Sequence, residues 1–112
     1  MLAQESAGAF HCEVTPERDQ VVVRPRGELD MATVGRVEQE LQHLRRSGFR
    51  TLVLDLGGLT FMDSTGLHLA MRWAKDAAQD GFSFEIEPGP PPVMRVFALA
   101  EMTHGLPFRR SS

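Results

Sequence analysis

Hydrophobic positions change their period several times along the chain, and each change marks an element. Phe10, Cys12 and Val14 alternate with His11 and Glu13, so Phe10–Val14 predicts a strand with one apolar face. Thr15–Asp19 then reads as a turn before a second strand, Gln20–Arg26, and the two make an opening hairpin. Pro25 lacks an amide donor, which places it at a sheet edge or among the strand's last residues. From Asp30 the spacing becomes helical: Val34, Val37, Leu41 and Leu44 recur every three or four residues, with Arg36, Glu38, Glu40, Gln42 and Arg45 on the rest of the cylinder. Asp30 reads as the N-cap and Ser47-Gly48 as the stop, a helix of about four turns.

Thr51–Leu56 is almost continuously apolar, as a strand covered on both faces must be, and Gly57-Gly58 ends it. Leu59–Met62 leads into Asp63-Ser64-Thr65-Gly66. Beyond it, Leu67, Ala70, Met71, Ala74 and Ala78 form the stripe of a second helix that stops at Asp80-Gly81. Phe82–Ile86 alternates again as a strand. Pro91 or Pro92 suits the first turn of a third helix carrying Val93, Val96, Phe97 and Ala100, and a short last strand is expected near Leu106–Phe108. The order β-β-α-β-α-β-α, with that added strand, predicts an α/β fold: a single domain whose mixed, mostly parallel sheet has helices packed against it. Residues 1–8 read as a flexible N-terminal tail, 9–108 as the domain and 109–112 as a C-terminal tail.

Composition narrows the chemistry. A formal charge of −3 provides no counterion-release drive toward nucleic acid, so no direct nucleic-acid partner is expected. The absence of a signal-peptide start and of an 18-residue apolar run points to a cytoplasmic protein with no membrane partner. Cys12, the single cysteine, allows no internal disulfide and reads as a small buried thiol. His11, His43, His68 and His104 are scattered, with none placed to activate a serine, and no His/Cys/Asp spacing suggests a metal site. Gly57-Gly58 lacks the Lys-Ser/Thr tail of a phosphate loop. The expectation is therefore a protein that is not an enzyme and takes no cofactor. Trp73 reads as core edge, and Met62, Met71, Met94 and Met102 as gap-filling core.

Asp63-Ser64-Thr65-Gly66 falls where a strand gives way to a helix. Ordinary capping accounts for such residues at a helix start. The unpaired N–H groups there also favour an added anion, which makes a hydroxyl at this place a candidate phosphoacceptor.

Gly27-Glu28-Leu29-Asp30 at the entry to the first helix, with Leu59-Thr60-Phe61-Met62-Asp63-Ser64-Thr65-Gly66-Leu67 after an intervening helix and strand, resembles the STAS family. Its soluble members include bacterial anti-sigma factor antagonists. The resemblance runs from about Phe10 to Phe108 and implies that Ser64 is the phosphoacceptor, with Thr65 its rival. It implies as partners an anti-sigma factor with serine kinase activity and a phosphoserine phosphatase. Unphosphorylated protein would bind the anti-sigma factor and free a sigma factor, and phosphorylation would release the complex. The partner surface expected from this likeness comprises Glu28, Asp30, Met62, Asp63, Thr65, Gly66 and Leu67, with Gly66 allowing close approach and Met62 and Leu67 as the apolar border. Asp30 equally suits the cap of the first helix.

Two other readings compete. Some STAS domains act in transporters or stress-sensing assemblies, so a constitutive interaction module without phosphorylation is the alternative. A receiver domain phosphorylated on Asp55 is the third, but such a domain needs an acidic pair after its first strand and a lysine after a later one, and the only lysine is Lys75 in the second helix.

Overall fold

Pairing along one long strand organises the molecule. The computed structural model describes residues 10–102 and 105–109, so the expected tails lie outside the described residues except for Arg109, as does His104. Strand β1 (His11–Glu17) pairs antiparallel with β2 (Gln20–Leu29). Arg18, at φ 61°, stands in the tight connection between them. The hairpin strands thus run further than the alternation predicts, and the turn is shorter. Helix α1 (Val34–Arg46) leads to β3 (Thr51–Asp55), a 3-10 turn at Leu56–Gly58 and β4 (Leu59–Met62). Helix α2 (Ser64–Asp80), strand β5 (Ser83–Glu87) and helix α3 (Pro91–Leu99) follow. The sheet order is β1-β2-β3-β5 with β4 also paired to β2, and every pairing other than β1–β2 is parallel. The expected α/β fold with a mixed, mostly parallel sheet is the one present.

β2 serves two neighbours in turn. Gln20–Val23 pair with Thr51–Leu54 of β3, and Gly27–Leu29 pair with β4. Pro25, buried, lies in the changeover between them, where the ladders to β3 and β4 make no demand on its missing donor. This corrects the expectation of an edge or terminal position: the proline is interior to the longest strand. β4 was absent from the predicted order because four residues are too few to show a period. The expected last strand is reduced to a single bridge, Ile86 to Phe108.

Val21, Val23, Leu52, Leu54 and Ile86 are fully buried on one face of the sheet, and the helices pack on that side. Burying each such side chain contributes about 1.5–3 kcal/mol. The opposite face alternates charges that pair with one another: Arg24 with Asp55 at 3.3 Å, Arg26 with Glu13 at 3.6 Å and Arg109 with Glu85 at 2.9 Å. Val53, buried on this side, sits between its strand partners Val22 and Glu85. Cys12 is half-buried; that burial, with Glu40 nearby adding and Arg36 opposing, pushes its thiol up to about 11, which keeps it protonated and unreactive.

The buried stripe of α2 differs from the one expected. Gly66, Leu67, Leu69, Ala70, Trp73 and Ala77 face inward, whereas Met71 and Ala78 are exposed. Rotating the helix to enclose Leu69 and Trp73 removes more apolar surface from water than enclosing Met71 and Ala78. Trp73 thereby meets Phe82 edge-on at 6.0 Å and donates from Nε1 to Glu38 Oε1 at 3.0 Å. Arg72 donates to the same oxygen at 3.0 Å, tying α2 to α1. Glu38→Ala strands the buried indole N–H without a partner, and a loss of about 1 kcal/mol is expected in urea unfolding followed by Trp73 fluorescence. An unchanged midpoint would show that water replaces the carboxylate.

Candidate functional site

The ends of β2 and β4 lie side by side, with Glu28 opposite Phe61 and Leu29 opposite Met62, and the Asp63 amide donates to the Leu29 carbonyl at 3.2 Å. Residues 28–31 therefore sit beside residues 61–64. Asp63 is extended and caps α2: its Oδ1 accepts from the Thr65 amide at 2.9 Å and also from the Thr65 hydroxyl. Ser64, the first residue of the helix, is exposed, and its hydroxyl has no hydrogen-bond partner among the described residues. The two neighbouring hydroxyls are thus unequal. Thr65 is half-buried and committed to the cap, while Ser64 is open to solvent at the positive end of the helix dipole.

Glycine at 66 has a structural cause. A Cβ there would lie 2.5 Å from Met62 Cγ, 2.6 Å from Met62 Sδ and 3.0 Å from Leu29 Cδ2, so its absence lets the first turn of α2 close onto β2 and β4. The expectation that Gly66 admits a partner is corrected: this glycine is buried and admits the protein's own core. Met62 and Leu67, expected as an apolar border of the partner surface, are 2% and 6% exposed and belong to the same core.

Other residues hold the exposed positions. Gly27 pairs with Leu59 but Glu28 pairs with Phe61, so Thr60 is an extra residue, a bulge at which Gly27 adopts φ 111° and the Thr60 hydroxyl donates to the Gly27 carbonyl at 3.1 Å. Strict alternation would bury Phe61 with Leu59. The bulge reverses the parity, turning Phe61 outward and Met62 inward. Met31 is 78% exposed and Phe61 45%. Neither was singled out from the sequence, and no single-chain pattern reveals the bulge that exposes Phe61.

Glu28 is exposed, and Asp30 is half-buried in a tight turn rather than at the helix cap. Its Oδ1 accepts from the Ala32 amide at 3.0 Å, while the N-cap position of α1 falls to Thr33. The Thr33 hydroxyl donates to the Glu28 carbonyl at 2.8 Å and accepts from the Asp30 amide at 3.0 Å, which fixes the loop that carries Met31. An expected helix cap is therefore a turn cap, because a side chain three residues upstream satisfies the turn before α1 begins.

Asp55, the alternative phosphoacceptor, accepts from the Gly57 amide at 2.8 Å and from Arg24, so it closes the 3-10 turn. His68 is exposed one turn after Ser64. Among the described residues no cluster of three or more His, Cys, Asp or Glu could hold a metal ion, and no helix is long and apolar enough to cross a membrane.

The chain is similar to known proteins in sequence and in fold. The family described as Mlab, STAS domain, matches residues 12–108. The anti-sigma-B factor antagonist of Staphylococcus aureus (strain NCTC 8325 / PS 47) is 39% identical over 71 residues, which is 63% of this chain and 66%, just under two thirds, of that protein's length. The crystal structure of an anti-sigma factor antagonist from Mycobacterium paratuberculosis superposes with a TM-score of 0.78 at 22% identity, covering 91% of this chain and 86% of that one. The unphosphorylated form of the anti-sigma factor antagonist SpoIIAA gives 0.72 at 24% identity, covering 93% and 89%. The phosphorylated form of the Bacillus cell fate determinant SpoIIAA gives 0.67 at 23%, covering 93% and 92%. The family match spans nearly the whole chain, and the chain belongs to the STAS domain family.

Proposed function

We propose that the protein is an anti-sigma factor antagonist that regulates transcription in the cytoplasm, with Ser64 as its phosphorylation switch. The observation that carries this reading is the exposed hydroxyl at the first residue of α2, without a partner among the described residues, beside a threonine whose own hydroxyl is held by the cap. The likeness to an anti-sigma-B factor antagonist supports the role, and a structural neighbour known in both unphosphorylated and phosphorylated forms supports the switch.

In the unphosphorylated state the surface around Ser64 docks an anti-sigma factor and releases a sigma factor. That partner's kinase activity places the γ-phosphate of a nucleoside triphosphate in line with Ser64 Oγ; the new P–O bond forms as the bond to the leaving diphosphate breaks. The hydroxyl proton passes to a base on the kinase, since the Asp63 oxygen nearest the helix already accepts from Thr65. A phosphoserine phosphatase hydrolyses the ester and resets the protein.

Intact-mass measurement of the protein taken from its native host, before and after stress, is expected to show a form heavier by one phosphoryl group that disappears in Ser64→Ala. Retention of the added mass in that variant assigns the switch to Thr65 or elsewhere. Unmodified protein under every condition points instead to a constitutive interaction module.

A further inference from the structure

We propose that Met31 and Phe61 are the apolar anchors of the docking surface, and that the anti-sigma factor receives them in an apolar cleft with a basic rim. The inference rests on the reading of this protein as an anti-sigma factor antagonist and deepens it by naming the chemistry of the partner's surface.

Three observations meet here. Met31 and Phe61, 78% and 45% exposed, stand on the two segments that meet at the start of α2, joined by the pairing of Glu28 with Phe61 and Leu29 with Met62 and by the Asp63 amide bond to the Leu29 carbonyl. Large apolar side chains held in water on two joined segments are candidates for a shared binding surface. The exposure of Phe61 is also built in: a bulge at Thr60, pinned by the hydroxyl bond to Gly27, reverses the strand parity that would have buried this ring. Bulges re-aim side chains in this way near sites of function. Finally, the backbone of the segment carrying Met31 is fixed by Thr33 bonding to Glu28 and Asp30, so on docking the side chain, and not the loop, is what remains to be ordered.

Charge identifies the other side. Glu28, Asp30 and Asp63 lie around the two anchors on the same pair of segments, so a complementary partner carries basic residues at its rim. Ser64 follows Phe61 by three residues at the start of α2, beside the rim residue Asp63 and open to the nucleotide of the docked kinase. Exposed rim pairs contribute only about 0–1 kcal/mol each, so the anchors dominate affinity while the acids set orientation and association rate.

The test uses the full chain and, as probes, each purified anti-sigma factor with a kinase domain encoded by the native host, titrated by calorimetry. Wild-type protein is expected to bind one of them, Ser64→Asp to lose that binding, and Met31→Ala and Phe61→Ala each to weaken it about tenfold or more. Met31→Gln and Phe61→Gln repeat the experiment with polar chains, and thermal unfolding of every variant confirms that the fold is kept. Glu28→Lys is expected to weaken binding at low salt and to approach wild type at high salt. If wild type binds and Ser64→Asp does not, yet both anchor variants stay within twofold of wild type, the anchors are wrong and the proposed function stands. Tighter binding by Glu28→Lys overturns the basic rim. Failure of wild type to bind any of the probes overturns the proposed function, and the anchors with it.

Discussion

Gly66→Ala should destabilise the protein by up to about 2 kcal/mol, although helix propensity alone predicts the opposite sign. Within a helix, alanine is favoured over glycine by about 0.8–1.0 kcal/mol. At position 66 that gain is outweighed, because the added Cβ meets Met62 Cγ at 2.5 Å and Sδ at 2.6 Å, with Leu29 Cδ2 at 3.0 Å behind them. Met62 and Leu29 are 2% and 0% exposed, so neither has solvent into which to move, and overpacking of this kind costs about 1–3 kcal/mol before the propensity gain is subtracted. The internal control is Gly35 in the first turn of α1, where a Cβ would meet nothing within 4 Å. Gly35→Ala should therefore be neutral or stabilising by up to about 1 kcal/mol. Urea midpoints of the two variants are expected to move in opposite directions from wild type. A stabilised Gly66→Ala would mean that Met62 leaves its site freely, and the close packing of the switch helix onto β4 would have to be abandoned. The effect also reaches function, since a first turn of α2 pushed off β4 shifts Ser64 relative to Phe61 and Met31.

The three helices were legible because their apolar spacing persists for several turns and ends at recognisable stops: Gly48 at φ 97° after α1, and Gly81 at φ 76° after α2. The strand–helix junction at Ser64 was legible for the same reason, since Asp63 is the residue a helix start requires and is the residue that caps it. What escaped depends on pairing between strands. β4 is four residues long and one of them is bulged, so its alternation carries no readable period. From that single slip followed the placing of Met62 at the border and the omission of Phe61. Asp30 illustrates a different limit: a capping residue is recognisable by type, but whether it caps the helix or the turn before it depends on Thr33, whose hydroxyl already binds both ends of that turn. Pro25 failed as an edge signal because one strand changes partners at that point.

Phosphorylation of Ser64 should lower affinity for the anti-sigma factor by about 100-fold or more while leaving the fold nearly unchanged. The modification adds about −1.5 to −2 charges. Within the folded protein the helix N-terminus returns about 0.3–1 kcal/mol, up to about 2 in sheltered geometry, and the carboxylate of Asp63 opposes part of it, so the net effect on stability is small. At the interface the balance differs. A serine hydroxyl enclosed at the interface costs one hydroxyl's hydration, whereas a phosphate enclosed there surrenders the hydration of a dianion. A loss of about 3 kcal/mol, at the lower end of what leaving a buried charge unpaired costs, already exceeds 100-fold in affinity. Rim attractions of about 0–1 kcal/mol each are too weak to restore it. Local charge, rather than a rearrangement of the sheet, is thus the expected agent of release. Paired measurements decide between the two: titration of phosphorylated and unphosphorylated protein with the same anti-sigma factor, and amide chemical shifts of both forms alone. Shifts confined to residues around 28–33 and 60–68 together with the affinity loss fit the electrostatic account. Changes spreading through β3 and β5 would transfer the explanation to conformation, and equal affinity of the two forms would remove Ser64 from the switch altogether.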